Sequence, residues 1–279
     1  MVQEQAYYGK GYKKAISDTH AWRKVDNAAA FVIPVLKPNF KVLDVGSGPG
    51  TITVDFADNY LTEGGSIIGV EPTQEVLDTA EAYKKKYAEE NNKSLDNVTF
   101  QKGSIYELPF EDNTFDLVHA HQVVLHLQDP VSGLKELRRV TKPGGFVCVK
   151  DSDLESSVVT PAKYQKLQDY YVIKAKASGY TDSQAGRKLR GRAIEAGYEA
   201  ASIQTTVSNW VITDVYIKKL YYKLITSRVQ NAGEELYPGD AEKNQYAKKV
   251  FLDLFKEFSD DETSMKVHAN YEITYQKPE

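Results

Sequence analysis

From Lys41 onward, short apolar runs alternate with amphipathic segments. Lys41-Val42-Leu43-Asp44-Val45 is rich in strand formers and stops in glycines. A helix is predicted from about Pro49, with Ile52, Phe56 and Tyr60 on one side. Residues 66–70 read as a second strand, and residues 74–90 as a charged helix with Val76, Leu77, Ala80 and Tyr83 along one stripe. Residues 98–100 and 115–119 read as third and fourth strands. A helix over 131–141 is stopped by Pro143-Gly144-Gly145, and residues 146–150 form a fifth strand. Strands alternating with helices predict an α/β fold, a doubly wound and mostly parallel sheet buried on both faces. In such sheets ligands bind beyond the carboxyl ends of the strands.

The pattern divides the chain. Residues 1–39 are expected to be a helical cover segment, residues 40–151 the α/β core. Residues 152–279 supply the rest of the sheet, with strands near 201–211 and 265–277. Helical insertions fall near 160–185 and 212–258. Ile217, Leu220, Tyr221 and Leu224 share one stripe, as do Val250, Phe251, Leu254, Phe255 and Phe258. These helices are expected to cover the strand ends and leave a substrate pocket beneath. The basic stretch from Gly186 to Ile194 reads as a helix ending at Ala196-Gly197-Tyr198, and its local charge leaves a phosphate or other anionic partner open.

Composition narrows the classes. The chain has 279 residues, 35 basic and 39 acidic side chains and a net charge of −4. Duplex nucleic acid binding needs a basic surface, so it is not expected as the main partner. The longest apolar run, from Ala28 to Leu36, is too short to span a membrane. The amino terminus has no apolar signal core, and no arginine precedes Arg23. The single cysteine, Cys148, rules out internal disulfides and fits a cytoplasmic location. Tyrosine is abundant, at 19 residues, yet only Tyr60, Tyr83, Tyr87 and Tyr106 fall between Lys41 and Asp151. The surplus lies in the predicted cover, where a broad apolar face with one polar tip suits a pocket for a partly aromatic or amphipathic molecule.

The turns after the strands carry the chemistry. Asp44-Val45-Gly46-Ser47-Gly48-Pro49-Gly50 ends strand one. The dinucleotide fingerprint fails because Thr51 stands at its third glycine, and the phosphate-binding P-loop lacks its Gly-Lys-Ser/Thr. An acid inside the strand suits a ligand with a positive group better than a pyrophosphate. Glu71, in Gly69-Val70-Glu71-Pro72, stands where a carboxylate can accept both ribose hydroxyls. Gly103-Ser104-Ile105 follows strand three, where an adenine ring would lie against Ile105. Together these features fit one adenosine-containing molecule.

With these motifs the sequence resembles the class I S-adenosylmethionine-dependent methyltransferases, in particular the small-molecule ubiquinone/menaquinone-biosynthesis type. Leu108-Pro109-Phe110, Phe115-Asp116-Leu117-Val118, Leu137-Arg138-Arg139-Val140 and Lys142-Pro143-Gly144-Gly145 extend the resemblance over about residues 40–151. It implies a seven-stranded Rossmann-like sheet and S-adenosyl-L-methionine as cofactor. The glycine loop (Gly46, Ser47, Gly48) would pass under the methionine part, Glu71 with Pro72 would hold the ribose, and Ser104 and Ile105 would border the adenine. The family often has an acid at the Ser104 position, and a serine hydroxyl bonds the adenine amino group more weakly.

Three of the five histidines, His119, His121 and His126, cluster at the end of strand four, and His20 lies in the amino-terminal segment. A metal reading would recruit Asp129, Asp151 and Asp153, but the reading without metal is preferred. Methyl transfer from a sulfonium is an in-line displacement, and an oxygen, thiol or amine acceptor must also lose a proton. His121, expected just past the strand end, and His20 are the candidate bases. His119 and Gln122 are expected at the cofactor. Tyr8, with Tyr7, Tyr12 and Trp22, offers aromatic faces to the sulfonium, and Arg23 a partner for the cofactor carboxylate.

The expected function is methyl transfer to a small molecule. The rivals are a nicotinamide-dependent oxidoreductase, disfavoured by Thr51 and Asp44, and a non-catalytic cofactor-binding protein. Nucleic-acid methylation is not expected: strand four runs into His119-Ala120-His121-Gln122 rather than Asn/Asp-Pro-Pro-aromatic, and Cys148 lies inside a strand. The sequence allows a homodimer.

Overall fold

A computed structural model describes residues 14–279, with nothing described of the Ser17 side chain. Tyr7, Tyr8 and Tyr12 lie outside the described residues. Ahead of the sheet the described residues form a short helix α1 (Lys14–Asp18), a π-helical turn (Val25–Ala29) and a 3-10 stretch (Ala30–Val35). Alternation then begins: β1 (Lys41–Val45), α2 (Thr51–Asn59), β2 (Ser66–Glu71), α3 (Gln74–Asn91), β3 (Val98–Lys102), β4 (Phe115–His121), α4 (Pro130–Val140) and β5 (Thr141–Ser152). The second half contains β6 (Val158–Thr160), α5 (Lys166–Ser178), α6 (Ala185–Glu195), β7 (Ile203–Ile212), α7 (Val215–Asn231), α8 (Ala241–Asp260) and β8 (Met265–Gln276).

The strands form one sheet in the order β3-β2-β1-β4-β5-β8-β6, with β7 on the other edge of β8. The pairs from β3 to β5 are parallel, whereas β8 runs antiparallel to β5, β6 and β7. The sheet is therefore doubly wound and mostly parallel, with one strand more than the seven expected. The extra strand is the short β6, which extends the β5 edge along the start of β8.

Local sequence explains the boundaries. Asp129 caps α4 by accepting from Ser132 N at 3.0 Å, with Pro130 as the first helical residue. Asp214 and Asp240 cap α7 and α8 in the same way. Two boundaries differ from the sequence reading. Pro143-Gly144-Gly145, expected to separate helix from strand, lies inside β5, which takes over directly from α4. β4 runs on to His121, so this residue ends the strand instead of following it.

One sheet face packs on α4 and α6 through Leu43, Val118, Val147, Ile273 and Tyr275. The opposite face is apolar low on the strands, where Val42, Leu117 and Cys148 meet α2 and the turns before β1. Toward the carboxyl ends that same face turns polar, with Asp44, His119, His121, Lys150 and Ser152 all buried. The cover has its own core, in which Tyr164, Tyr170, Phe251, Phe255 and Phe258 pack among α5, α7 and α8. No described helix is long and apolar enough to cross a membrane.

Candidate active site

The polar ends of β1, β2, β4 and β5, the inner face of β7 and the start of β8 open into a cavity of about 1180 Å³, covered by α5, α7 and the segment before β1. On one side lies the glycine loop. Gly46 N and Ser47 N both donate to Val70 O, at 2.8 and 3.1 Å, which ties the loop to β2. Gly46 has φ +72°, and a Cβ there would stand 2.4 Å from Val123 Cγ2, so only glycine fits. Gly48 N donates to Glu71 Oε2 at 3.3 Å. Asp44, Gly46, Ser47, Gly48 and Glu71 all line the cavity. The buried Ser47 Oγ has no hydrogen-bond partner.

Asp44 and His119 are structural partners. Register sets them side by side on β1 and β4, and His119 Nδ1 donates to Asp44 Oδ1 at 2.8 Å. Thr53 Oγ1 donates to Asp44 Oδ2 at 2.6 Å. A carboxylate only accepts, so the His119 proton sits on Nδ1. His119 is fully buried and does not line the cavity. Its expected role at the cofactor is thereby corrected: it orients Asp44 and stacks beneath His121, with ring centroids 6.3 Å apart.

His121 does face the cavity. It is 7% exposed, and neither ring nitrogen has a hydrogen-bond partner. Burial pushes its pKa well below the ordinary imidazole value, and the charges of Arg23 and Lys150 push it further. His20 also lines the cavity and is held neutral by burial and by Arg23 and Arg228. His126 hydrogen-bonds Thr181 Oγ1 at 3.0 Å, and burial brings it to about 3.

Pro72, Ser104 and Ile105 are not brought to the cavity wall. Ser104 Oγ accepts from Tyr106 N at 3.1 Å, and Ile105 is buried in the core cluster that includes Leu134 and Val70. Gln122 lines the cavity, but its amide nitrogen donates to Ser152 Oγ and, at 2.9 Å, to Asn270 Oδ1. These bonds brace the cavity floor toward β8. Arg23 lies over the Trp210 ring at 5.3 Å and lines the cavity, and Trp22 meets Trp210 edge-on at 5.0 Å. The three acids of the metal reading lie elsewhere. Asp129 caps α4, Asp153 binds Arg187, and Asp151 is buried off the cavity with its pKa raised to about 8 by burial. Among the described residues, no three His, Cys, Asp or Glu side chains are grouped to hold a metal.

Sequence reasoning missed the far half of the cavity. Lys150 pairs with Glu272 at 3.2 Å, while Lys174 and Arg228 share Glu234 at 3.3 and 2.6 Å. His268 stacks on Trp210 at 5.4 Å and bonds Ser152 Oγ at 2.9 Å. Lys266 sits nearby, with its ammonium 4.2 Å from the Tyr171 ring centroid. One signal was available: Lys266, His268, Asn270 and Glu272 alternate with apolar residues along β8. That alternation marks a strand, but not whether its polar face meets water or a cavity.

Comparison with known proteins agrees with this geometry. A methyltransferase-domain family model matches residues 36–197. The chain is 42% identical to the uncharacterized methyltransferase C1B3.06c of Schizosaccharomyces pombe, over 99% of its own length and 98% of the relative's. It is 31% identical to the ubiquinone/menaquinone biosynthesis C-methyltransferase UbiE of Bdellovibrio bacteriovorus, over 54% of this chain and 57% of that one. In fold it is similar to phosphoethanolamine N-methyltransferase 2 of Haemonchus contortus, with a TM-score of 0.58 and 18% identity, covering 98% of this chain and 60% of that one. The nicotinamide and non-catalytic alternatives fall away. An acid-anchored glycine loop, a strand-end glutamate and these relatives lead to one family: the chain belongs to the S-adenosylmethionine-dependent methyltransferases.

Proposed function

We propose that this enzyme methylates a small molecule held between the sheet and its cover, with His121 accepting the proton that the acceptor loses. The observation that carries the reading is a neutral, buried imidazole with both nitrogens unpartnered at the cavity wall. The residues present fit S-adenosyl-L-methionine. Ser47 keeps a free buried hydroxyl, the loop admits only glycine at Gly46, and Glu71 lines the cavity beside Gly48. When bound, that cofactor supplies an electrophilic methyl on a sulfonium sulfur.

The protein's part is alignment and proton handling. Asp44 is fixed at the end of β1 by His119 and Thr53, and the glycine loop that follows is tied to β2 through Val70 O and Glu71. Glu71 would accept the ribose hydroxyls, and Arg23 would meet the cofactor carboxylate. His121 would take the acceptor's proton on a ring nitrogen while the acceptor's lone pair bonds the methyl carbon and the sulfur–methyl bond breaks with its electron pair left on sulfur, and would then release that proton to solvent. Its lowered pKa keeps it in the accepting form at neutral pH. His20, also neutral, is the second candidate on the cover side. The apolar walls from Ile16, Leu125 and Ile225, all buried, limit water around the reacting atoms.

Calorimetry with S-adenosylhomocysteine tests the cofactor site. Wild type should bind, and Glu71→Ala should bind at least about tenfold more weakly, the loss expected for hydrogen bonds to a charged group. Absence of binding to wild type would overturn the reading.

A further inference from the structure

The cavity's cations are not treated alike. Lys150 has Glu272, and Lys174 and Arg228 have Glu234. Lys266 is 5% exposed, lines the same cavity and has no hydrogen bond or ion pair among the described residues. Its neighbour on the cover is the Tyr171 ring. The strand gives it no alternative, because β8 is an interior strand and Lys266 pairs there with Val159 on β6 and Ile212 on β7. Burying an ammonium without a counter-charge is costly, and an anionic ligand removes that cost.

Position adds a second constraint. His121 pairs across the sheet with Lys150, and Lys150 with Glu272. Lys266 lies six residues before Glu272 on the same strand face, about 20 Å away at the usual strand rise. Between them runs a row of rings: His121 to Trp210 is 6.1 Å, and Trp210 to His268 is 5.4 Å. Two ring-to-ring steps thus link His121 to His268, which stands two residues from Lys266 on the same strand face. Apolar residues of α7, including Leu220, Leu224 and Ile225, wall the cavity from the cover side.

We propose that the methyl acceptor is an elongated, largely apolar carboxylate, its anionic end held by Lys266 and its nucleophilic end at His121. This rests on the methyltransferase reading above and specifies its substrate class. The carboxylate is an anchor and is not the group methylated. Lys266 suits the task because burial, with the charge of Lys174, lowers it to about 7, so a bound carboxylate fixes its proton.

The test uses the full chain saturated with S-adenosylhomocysteine, titrated with decanoate, decanol and decylamine. Decanoate should bind at least about tenfold more tightly than either of the others, as a hydrogen-bonded charge pair requires. Lys266→Met should abolish that preference, and Lys266→Arg should retain it, with S-adenosylhomocysteine affinity serving as the folding control for both. Equal binding of the three probes to wild type, no binding of decanoate, or undiminished preference in Lys266→Met would each overturn the proposal. Failure of S-adenosylhomocysteine itself to bind would instead sink the cofactor reading on which the proposal depends.

Discussion

On the cofactor side of the cavity, Asp44 meets Thr53 nine residues along and His119 on the adjacent strand. On the proposed acceptor side, Glu234 meets Lys174 from α5 and Arg228 from α7, and Arg228 also reaches Thr19, 209 residues away in sequence. The first set is fixed by strand register and one tight loop, so its geometry follows from local chain. The second depends on the cover docking correctly, and its charges are isolated from water only once that has happened. Cofactor binding should therefore tolerate changes in α5 and α7, while acceptor binding and acid stability should not.

The sharpest break between the halves is expected at His121, which sits at their junction. His121→Ala should lower kcat by about 10²–10⁴, the range for a lost general base. S-adenosylhomocysteine affinity should stay within about twofold. A panel of phenols, thiols and amines carrying a distal carboxylate, scored by S-adenosylhomocysteine release, supplies the assay. The variant's rate should also rise with pH as the acceptor ionises unaided. An unchanged pH profile would mean that the imidazole is only a wall of the cavity.

A smaller effect, confined to the cover, is expected at Glu234. Burial works to raise this carboxyl, but Lys174 and Arg228 outweigh it and bring it to about 2 from an ordinary 4.5. Folded-state depression means that the contribution is fully present above about pH 4.5 and is lost as pH falls toward 2. Its size is on the order of 2–3 kcal/mol, reduced because burial and Arg228 also bring Lys174 down to about 8. Glu234→Gln should thus lower stability at pH 7 and flatten the decline between pH 4.5 and 2, measured by urea unfolding. Equal acid sensitivity of variant and wild type would remove the Glu234 cluster as the cause.

What was legible in sequence follows the same division. β1 begins and ends at Lys41 and Val45 as the pattern predicts, and Asp44, Gly46, Ser47, Gly48 and Glu71 do converge on one cavity. Those positions are read from short-range patterns, strand then glycine then helix. Lys174, Arg228, Glu234 and Lys266 carry no such local signature, since each looks like one more surface charge until the cover is folded over the sheet. β8 shows the ambiguity most clearly. Its polar alternation is plain, yet Asn270 and Glu272 are buried rather than solvated, because β8 lies between β5 and β7 under the cover. The tyrosine surplus is likewise divided: Tyr171, Tyr180 and Tyr221 line the cavity, Tyr164 and Tyr170 build the cover's core, and Tyr216 and Tyr246 face solvent.

The smallest effect, and the one that isolates the cofactor half, is expected at Thr53. Its hydroxyl donates to Asp44 Oδ2 at 2.6 Å from a fully buried site on α2. Valine has nearly the same shape, so Thr53→Val removes the donor without opening a cavity. Asp44 then keeps only His119 as a side-chain donor, and a buried charged acceptor short of one bond costs about 1–3 kcal/mol. Urea unfolding should register that loss at neutral pH. Binding of a carboxylate probe to the cofactor-saturated protein should not change, because Lys266 belongs to the other end of the cavity. If decanoate affinity falls together with stability, the two halves are energetically coupled and the division drawn from their construction fails.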